Sequence, residues 1–449
     1  MIDQNLTLVQ PLEPTTQAPE TKQARYRSEI NRLSAEDRYA HDWYRFVLSY
    51  PPHLVRGYLQ RFGMDHTHRV LDPFCGTGTT LVECKKLGIP SVGIEANPMA
   101  HFASRLKVDW RVDPDRLLEH ASQVAEATSL ILSKPPRQLL TLPDESFKLL
   151  LKNSISPLPL HKTLVLLQQL KKYRDEQCYE HELLALSKAL VTSISNLHFG
   201  PEVGVGVAKE DAPVVEAWLS EVQIMAKDLR ELQTLPYAEA IAHHADSREI
   251  LQILEPYSVD AVITSPPYPN EKDYTRTTRL ESVLLEFIHN KAELQALKRG
   301  LLRSNTRGVY KIDDDDQWVA SHAEIQKIAA TIEARRIELG KTSGLERLYA
   351  RVTKLYFGGM AKHLAGLRTI LRPGAQLAYV VGDQASFLRV MIRTGQLLAD
   401  IAQVLGYEVV SIDLFRTRVA TATKEQMREE VVVLGWSGQA NRKGNRAVV

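Results

Sequence analysis

The run Ser265-Pro266-Pro267-Tyr268, closing "VDAVITSPPY", puts a hydroxyl, two prolines and an aromatic ring at one point of the chain. Proline has no N–H for a sheet ladder and pushes its predecessor out of helical space, so the strand ends there by force. The result is a rigid, extended tip with free carbonyls, oxygen acceptors and a flat ring face. A stiff strand-ending turn is the plain structural alternative. A second set lies upstream, where strand-like "RVLDPF" runs into Cys75-Gly76-Thr77-Gly78-Thr79-Thr80. Gly76 and Gly78 let the backbone turn tightly and let a ligand lie against it, at a helix N-terminus where amides point outward. Asp72, Phe74 and Thr80 flank this turn and are candidates for the same site. Glu95 closes the next strand 19 residues after Gly76, a place from which a carboxylate can grip two ribose hydroxyls. Asp246, in "HHADSRE", follows a third strand, where it suits either an adenine amino group or the N-cap of "SREILQIL".

These residues narrow the ligand. The third glycine of a dinucleotide fingerprint is missing, with Leu81 in its place, and no Gly-Lys-Ser/Thr follows for a triphosphate. A nucleoside-bearing cofactor without a pyrophosphate remains, and S-adenosylmethionine fits that description; a structural βα turn is the alternative. At the second tip, an exocyclic amine on an aromatic base would find its partners. Its lone pair is delocalised into the ring, and acceptors at the Ser265 oxygen and the Pro266 carbonyl would favour a more tetrahedral nitrogen. Pro266 and Pro267 fix those acceptors in advance. Tyr268 suits stacking on a base that has left its duplex. Tyr274 is a candidate for lining the base pocket, with a buried packing tyrosine as its alternative. Arg276 and Arg279 suit phosphate contacts.

The elements that must carry these residues alternate as strand, loop, helix and strand from Arg69 onward. "TTLVECKKLG" reads as a helix closed by Gly88, "SVGIEA" as a strand, and "NPMAHFASRLKV" as a helix with Pro98 in its first turn. The pattern predicts a doubly wound, parallel α/β sheet. Residues 1–25 read as a flexible lead-in, 26–109 and 236–440 as the α/β domain, and the leucine-rich 110–235 as a helical insertion. Within it, "SNLHFGPEVGVG" reads as a loop near the substrate. "VMIRTGQLLADIAQVLGY" predicts a helix, and "YEVVSIDLF" with "EEVVVLGW" an antiparallel pair.

Composition bounds the rest. A chain of 449 residues with 44% hydrophobic and 24% charged residues is an ordinary globular protein of one large or two smaller domains. A net charge of +2 leaves room for a basic surface only as a local patch. Lys291, Lys298, Arg299, Arg303, Arg307 and Lys311 make one candidate, with Glu293 as opposing charge; a solvated helix face is the alternative. The three cysteines have no metal-ligand spacing and suit a reducing compartment. No secretory pattern or long apolar segment stands out, which predicts a cytoplasmic protein.

"VLDPFCGTGTTLVE", "GIEANP" and "TSPPY" together resemble the S-adenosylmethionine-dependent DNA amino-methyltransferases, which act on cytosine N4 or adenine N6. The Ser-Pro-Pro-Tyr form is similar to the cytosine-N4 members; Asp- or Asn-Pro-Pro-Tyr is commoner in the adenine-N6 ones. "LSYPPHLVRGYL" is similar to the segment that covers the methionine end of the cofactor in that family. The resemblance implies a Rossmann-like methyltransferase sheet of seven strands with the last antiparallel. It also implies duplex DNA with a flipped base as substrate, and a restriction or defence partner as an expectation to test. The 110–235 insertion, the basic 291–311 stretch and a separate partner are the candidates for reading DNA. Rival chemistries fare less well. Cytosine-C5 methylation needs a thiolate on a Pro-Cys turn, and no cysteine here follows a proline. A guanine-N2 RNA methyltransferase would share the two motifs but would carry an RNA-binding module. A glutamine-N5 methyltransferase has Asn where Ser265 stands. A binding protein that merely keeps the sheet is the non-catalytic alternative.

Overall fold

The computed structural model describes residues 33–438, apart from 35, 47–48, 200–202, 271 and 420–425. The lead-in expected over 1–25 lies outside the described residues. The first half runs α1 (Pro52–Arg61), β1 (Val70–Asp72), α2 (Thr79–Lys86), β2 (Ser91–Glu95) and α3 (Pro98–Lys107). Then come α4 (Pro114–Leu132), α5 (Pro157–Lys172), α6 (Tyr179–Ala189), the short hairpin β3 (Leu197–Phe199) and β4 (Val203–Val205), and α7 (Val214–Leu232). The second half holds β5 (Ala240–His244), β6 (Val259–Thr264), α8 (Lys291–Arg299), α9 (Ala323–Glu338) and α10 (Tyr349–Ile370). It ends with β7 (Leu371–Gly382), α11 (Thr394–Val404), β8 (Glu408–Val419) and β9 (Gln426–Trp436).

Seven strands form one sheet in the order β5-β2-β1-β6-β7-β9-β8. β1 pairs in parallel with β2 on one side and β6 on the other, so the chain winds outward in both directions from this point. β9 slots between β7 and β8, antiparallel to both. The arrangement is the α/β methyltransferase sheet, with its crevice at the carboxyl ends of β1 and β6.

Local chemistry sets the element ends. Asn97 caps α3, its side chain accepting from the Met99 and Ala100 amides at 3.0 and 3.3 Å, with Pro98 in the first turn. The helix expected from Val390 begins only at Thr394. Leu388 and Arg389 take positive φ, and Ile392 pairs with Gln384 as an isolated bridge, which diverts the chain before the helix can start.

Side chains alternate across the sheet with period two. Val262, Leu377, Tyr379, Val381, Val432 and Leu434 pack with α10 and α11. Ala261, Ile263, Ala378, Val380, Val431 and Val433 pack with Val55 and Leu59 of α1. The 110–235 region is mostly helical, with β3 and β4 as its only strands among the described residues. Its helices do not fold apart from the sheet. Leu117, Leu166, Leu184 and Trp218 share one buried cluster with Leu81 and Val82 of α2 and Met99 and Leu106 of α3. None of the described helices is long and apolar enough to cross a membrane.

Candidate active site

A cavity of about 250 Å³ opens at the carboxyl ends of β1, β2, β5 and β6. Of the residues singled out in the sequence, it brings together Phe74, Gly76, Glu95, Asp246, Ser265, Pro266, Pro267, Tyr268, Tyr274 and Arg276. Asp72, Gly78 and Thr80 stand behind its wall rather than on it.

Those three explain how the wall is built. Asp72 is completely buried, and its carboxylate accepts from the Thr264 hydroxyl at 2.6 Å, the Tyr50 hydroxyl at 2.7 Å and the Phe74 amide at 3.2 Å. Tyr50 also meets the Thr80 hydroxyl, which donates to the Ile263 carbonyl at 3.1 Å. One carboxylate thus ties β1, β6, α2 and the segment before α1 together. Burial pushes its pKa up, against the pull of these donors. Gly76 and Gly78 turn the loop with φ of +52° and +85°, and Lys107 clamps it from below by donating to the Thr77 carbonyl at 2.7 Å.

Glu95 bridges the loop and the start of α3. Its Oε2 accepts from the Gly76 amide at 2.9 Å and its Oε1 from the Asn97 amide at 2.7 Å. Burial pushes its pKa up to about 7, although both amides pull the other way. Phe74 sets its ring edge-on to His363, with centroids 4.9 Å apart. His363 is buried and held neutral by burial, its pKa lowered to about 4. Its Nδ1 faces the Ser247 carbonyl at 3.0 Å, which only accepts, so Nδ1 carries the hydrogen and Nε2 accepts from the Tyr379 hydroxyl at 2.8 Å. Asp246 caps the 3₁₀ turn Ser247–Gln252, accepting from the Arg248 amide at 3.0 Å. Its carboxylate also pairs with the Arg248 guanidinium at 2.6 Å, which in turn reaches Asp315 at 2.5 Å.

At the other tip, the Ser265 hydroxyl donates to the Val380 carbonyl at 3.1 Å. The hydrogen is spent on β7, and the oxygen is left as an acceptor at the cavity rim. The Tyr268 hydroxyl donates to Glu429 at 2.9 Å, and its amide donates to the Tyr274 hydroxyl at 3.4 Å. Arg276 leaves its buried Nε without a partner in the protein.

The basic stretch is less free than its sequence suggests. Lys298 pairs with Asp273 at 2.7 Å and so braces the loop after Tyr268, while Arg303 pairs with Asp313 at 2.9 Å within the segment that follows α8. Arg307 remains exposed at the cavity mouth. Ser49 and Tyr50 of "LSYPPHLVRGYL" also line the cavity, whereas Phe46, Arg416, Arg418 and Glu429 carried no signal in the sequence. The "SNLHFGPEVGVG" stretch, expected as a loop, forms the paired strands β3 and β4, and its Val203 lines the cavity. All three cysteines are buried, and burial pushes each thiol up, Cys178 to about 12, so none supplies a thiolate.

Comparison with known proteins agrees with this geometry. Residues 20–104 match the N6/N4 methyltransferase family model, described as DNA methylase. The type II methyltransferase M.BsoBI of Geobacillus stearothermophilus is 24% identical over 421 residues, covering 86% of this chain and 82% of the relative. M.AvaI of Nostoc sp. PCC 7120 is 22% identical over 419 residues, covering 85% and 82%. M.MjaII of Methanocaldococcus jannaschii is 34% identical over 79 residues, 17% of this chain and 14% of the relative. The sheet order is that of an α/β methyltransferase-like fold. Within that fold, the family match and these relatives support an enzyme of the DNA amino-methyltransferase kind, for which S-adenosylmethionine is the implied methyl donor.

Proposed function

We propose that the chain methylates the exocyclic amino group of a flipped base in duplex DNA, cytosine N4 in preference to adenine N6, at a specific site. The observation that carries this reading is the Ser265 oxygen, which faces the rim as an acceptor because Val380 takes its hydrogen. It shares that rim with Gly76 and Glu95. An amine presented there donates one N–H to Ser265 and one to the Pro266 carbonyl, and its lone pair turns away from the ring plane. Tyr268 offers its face to the base, with Tyr274 beside it and Arg276 for a backbone phosphate.

The residues present suit the cofactor that the family implies. A Cβ at Gly76 would meet nothing within 4 Å, so that side of the loop is open to a ligand. Glu95 keeps unused lone pairs for a ribose diol, Phe74 provides an apolar face, and Asp246 can take an amino hydrogen. Asp72, Gly78 and Thr80 serve this site from behind by fixing the loop. Bound S-adenosylmethionine supplies a methyl group activated by its sulfonium. That the relatives are type II methyltransferases supports a restriction partner, and DNA as substrate supports a cytoplasmic location.

The test is incubation of the full chain with labelled S-adenosylmethionine and either duplex DNA or tRNA, then digestion to nucleosides. Label in N4-methylcytosine is expected. Label in N6-methyladenine would correct the base, label in N2-methylguanine of tRNA would overturn the substrate, and no label would overturn the enzyme reading.

A further inference from the structure

Glu429 is a carboxylate in the cavity wall that has no part in the chemistry above. Its Oε1 accepts the Tyr268 phenol hydrogen at 2.9 Å, and its other oxygen accepts from the Arg416 guanidinium. The pairing is built into the sheet. A bulge between Leu414 and Arg416 shifts β8, so that Arg416 rather than Phe415 lies opposite Glu429. On the other side of β9, Glu429 lies opposite Gly382 of β7. The Tyr268 ring rests over Gly382, where an added Cβ would fall 3.0 Å from Cε2, tighter than ordinary packing. Gly382, Glu429 and Arg416 therefore form one row across three strands: the first leaves room for the ring, the second takes its hydroxyl, the third holds the second.

We propose that Glu429 is a positioning residue for methyl transfer, fixing the plane of the Tyr268 ring before the base arrives. The proposal rests on Tyr268 as the stacking residue. A tyrosine ring turns about two bonds, and a bond to an ionised acceptor is stronger and more directional than one between neutral groups. Burial beside Glu429 keeps the phenol protonated, and so a donor, at any working pH. A platform set in advance spares the flipped base the ordering that it would otherwise impose on binding.

The experiment is a double-mutant cycle on the full chain with duplex DNA. Glu429→Ala and Tyr268→Phe are each expected to lower kcat about tenfold, and the double variant to be no worse than either, because both remove the same bond. Glu429→Gln, which keeps an acceptor, is expected to recover most of the loss, and cofactor Kd is expected to stay unchanged throughout. A kcat for Glu429→Ala equal to the wild type, or losses that multiply in the double variant, would overturn the proposal. Nuclear magnetic resonance of 13C-labelled tyrosines, with Tyr268 assigned through Tyr268→Phe, gives a second readout free of substrate. The Tyr268 ring signal is expected to move in Glu429→Ala, and an unmoved signal overturns the contact. Absence of DNA methylation in the wild type would instead sink the substrate reading, with the ring signal still deciding the role of Glu429.

Discussion

Glu95 offers a quantitative test of the cofactor end. Its carboxyl is pushed up to about 7 because burial penalises the charged form more than the Gly76 and Asn97 amides favour it. A ribose diol donates hydrogen bonds, so it prefers the carboxylate to the acid. Affinity should therefore rise as pH climbs through 7 and level off above it. At pH 6 about a tenth of such a group is ionised against about half at pH 7, so affinity should fall about fivefold over that unit. The assay is calorimetric titration with 5′-methylthioadenosine, which carries the diol and adenine but no amino-acid tail to titrate. Glu95→Gln should bind more weakly and lose the pH dependence. A wild-type affinity that is flat between pH 6 and 8, or a slope that survives in Glu95→Gln, would refute the assignment of the diol to Glu95.

Tyr268→Ala should abolish methyl transfer while leaving cofactor affinity within twofold or so of wild type by the same calorimetry, as expected of stacking that serves only the base. Asp72→Ala removes the shared acceptor of the buried Thr264 and Tyr50 hydroxyls, and should cost about 2–4 kcal/mol in urea unfolding. Gly78→Ala forces a side chain onto φ +85° and against Ser104, and should cost at least about 1–2 kcal/mol of stability. Its cofactor affinity should fall with the distorted loop.

Legibility followed the range of the forces involved. The Gly76–Gly78 turn, the end of β2 at Glu95 and the proline stop after β6 are local backbone matters, decided by residues next to one another, and the sequence displays them directly. The doubly wound sheet class also followed, because alternating strands and helices leave few ways to wind, whereas the order of the strands came only with the structure. In the basic 291–311 stretch the pairing of Lys298 and Arg303 was hidden, because their partners Asp273 and Asp313 lie outside the run of cations. The row through Glu429 was invisible for a stronger reason. It depends on pairing across β7, β9 and β8 and on one bulged residue, and a shift of a single position would have faced Glu429 with Phe415. Asp72 was legible as part of the motif, but its place behind the wall was not, since that follows from Tyr50 reaching in from before α1.

The joint cluster beneath α2 and α3 limits how this enzyme can be re-engineered. Leu81, Met99 and Leu106 have Leu117, Leu166 and Trp218 as their cover, so excising 110–235 would expose the apolar side chains of α2 and α3 to water. A transplant of that region from a homologue with another target sequence would meet a mismatched seam. Grafts confined to β4, whose Val203 lines the cavity and is not part of that cluster, are the ones that the scaffold can tolerate.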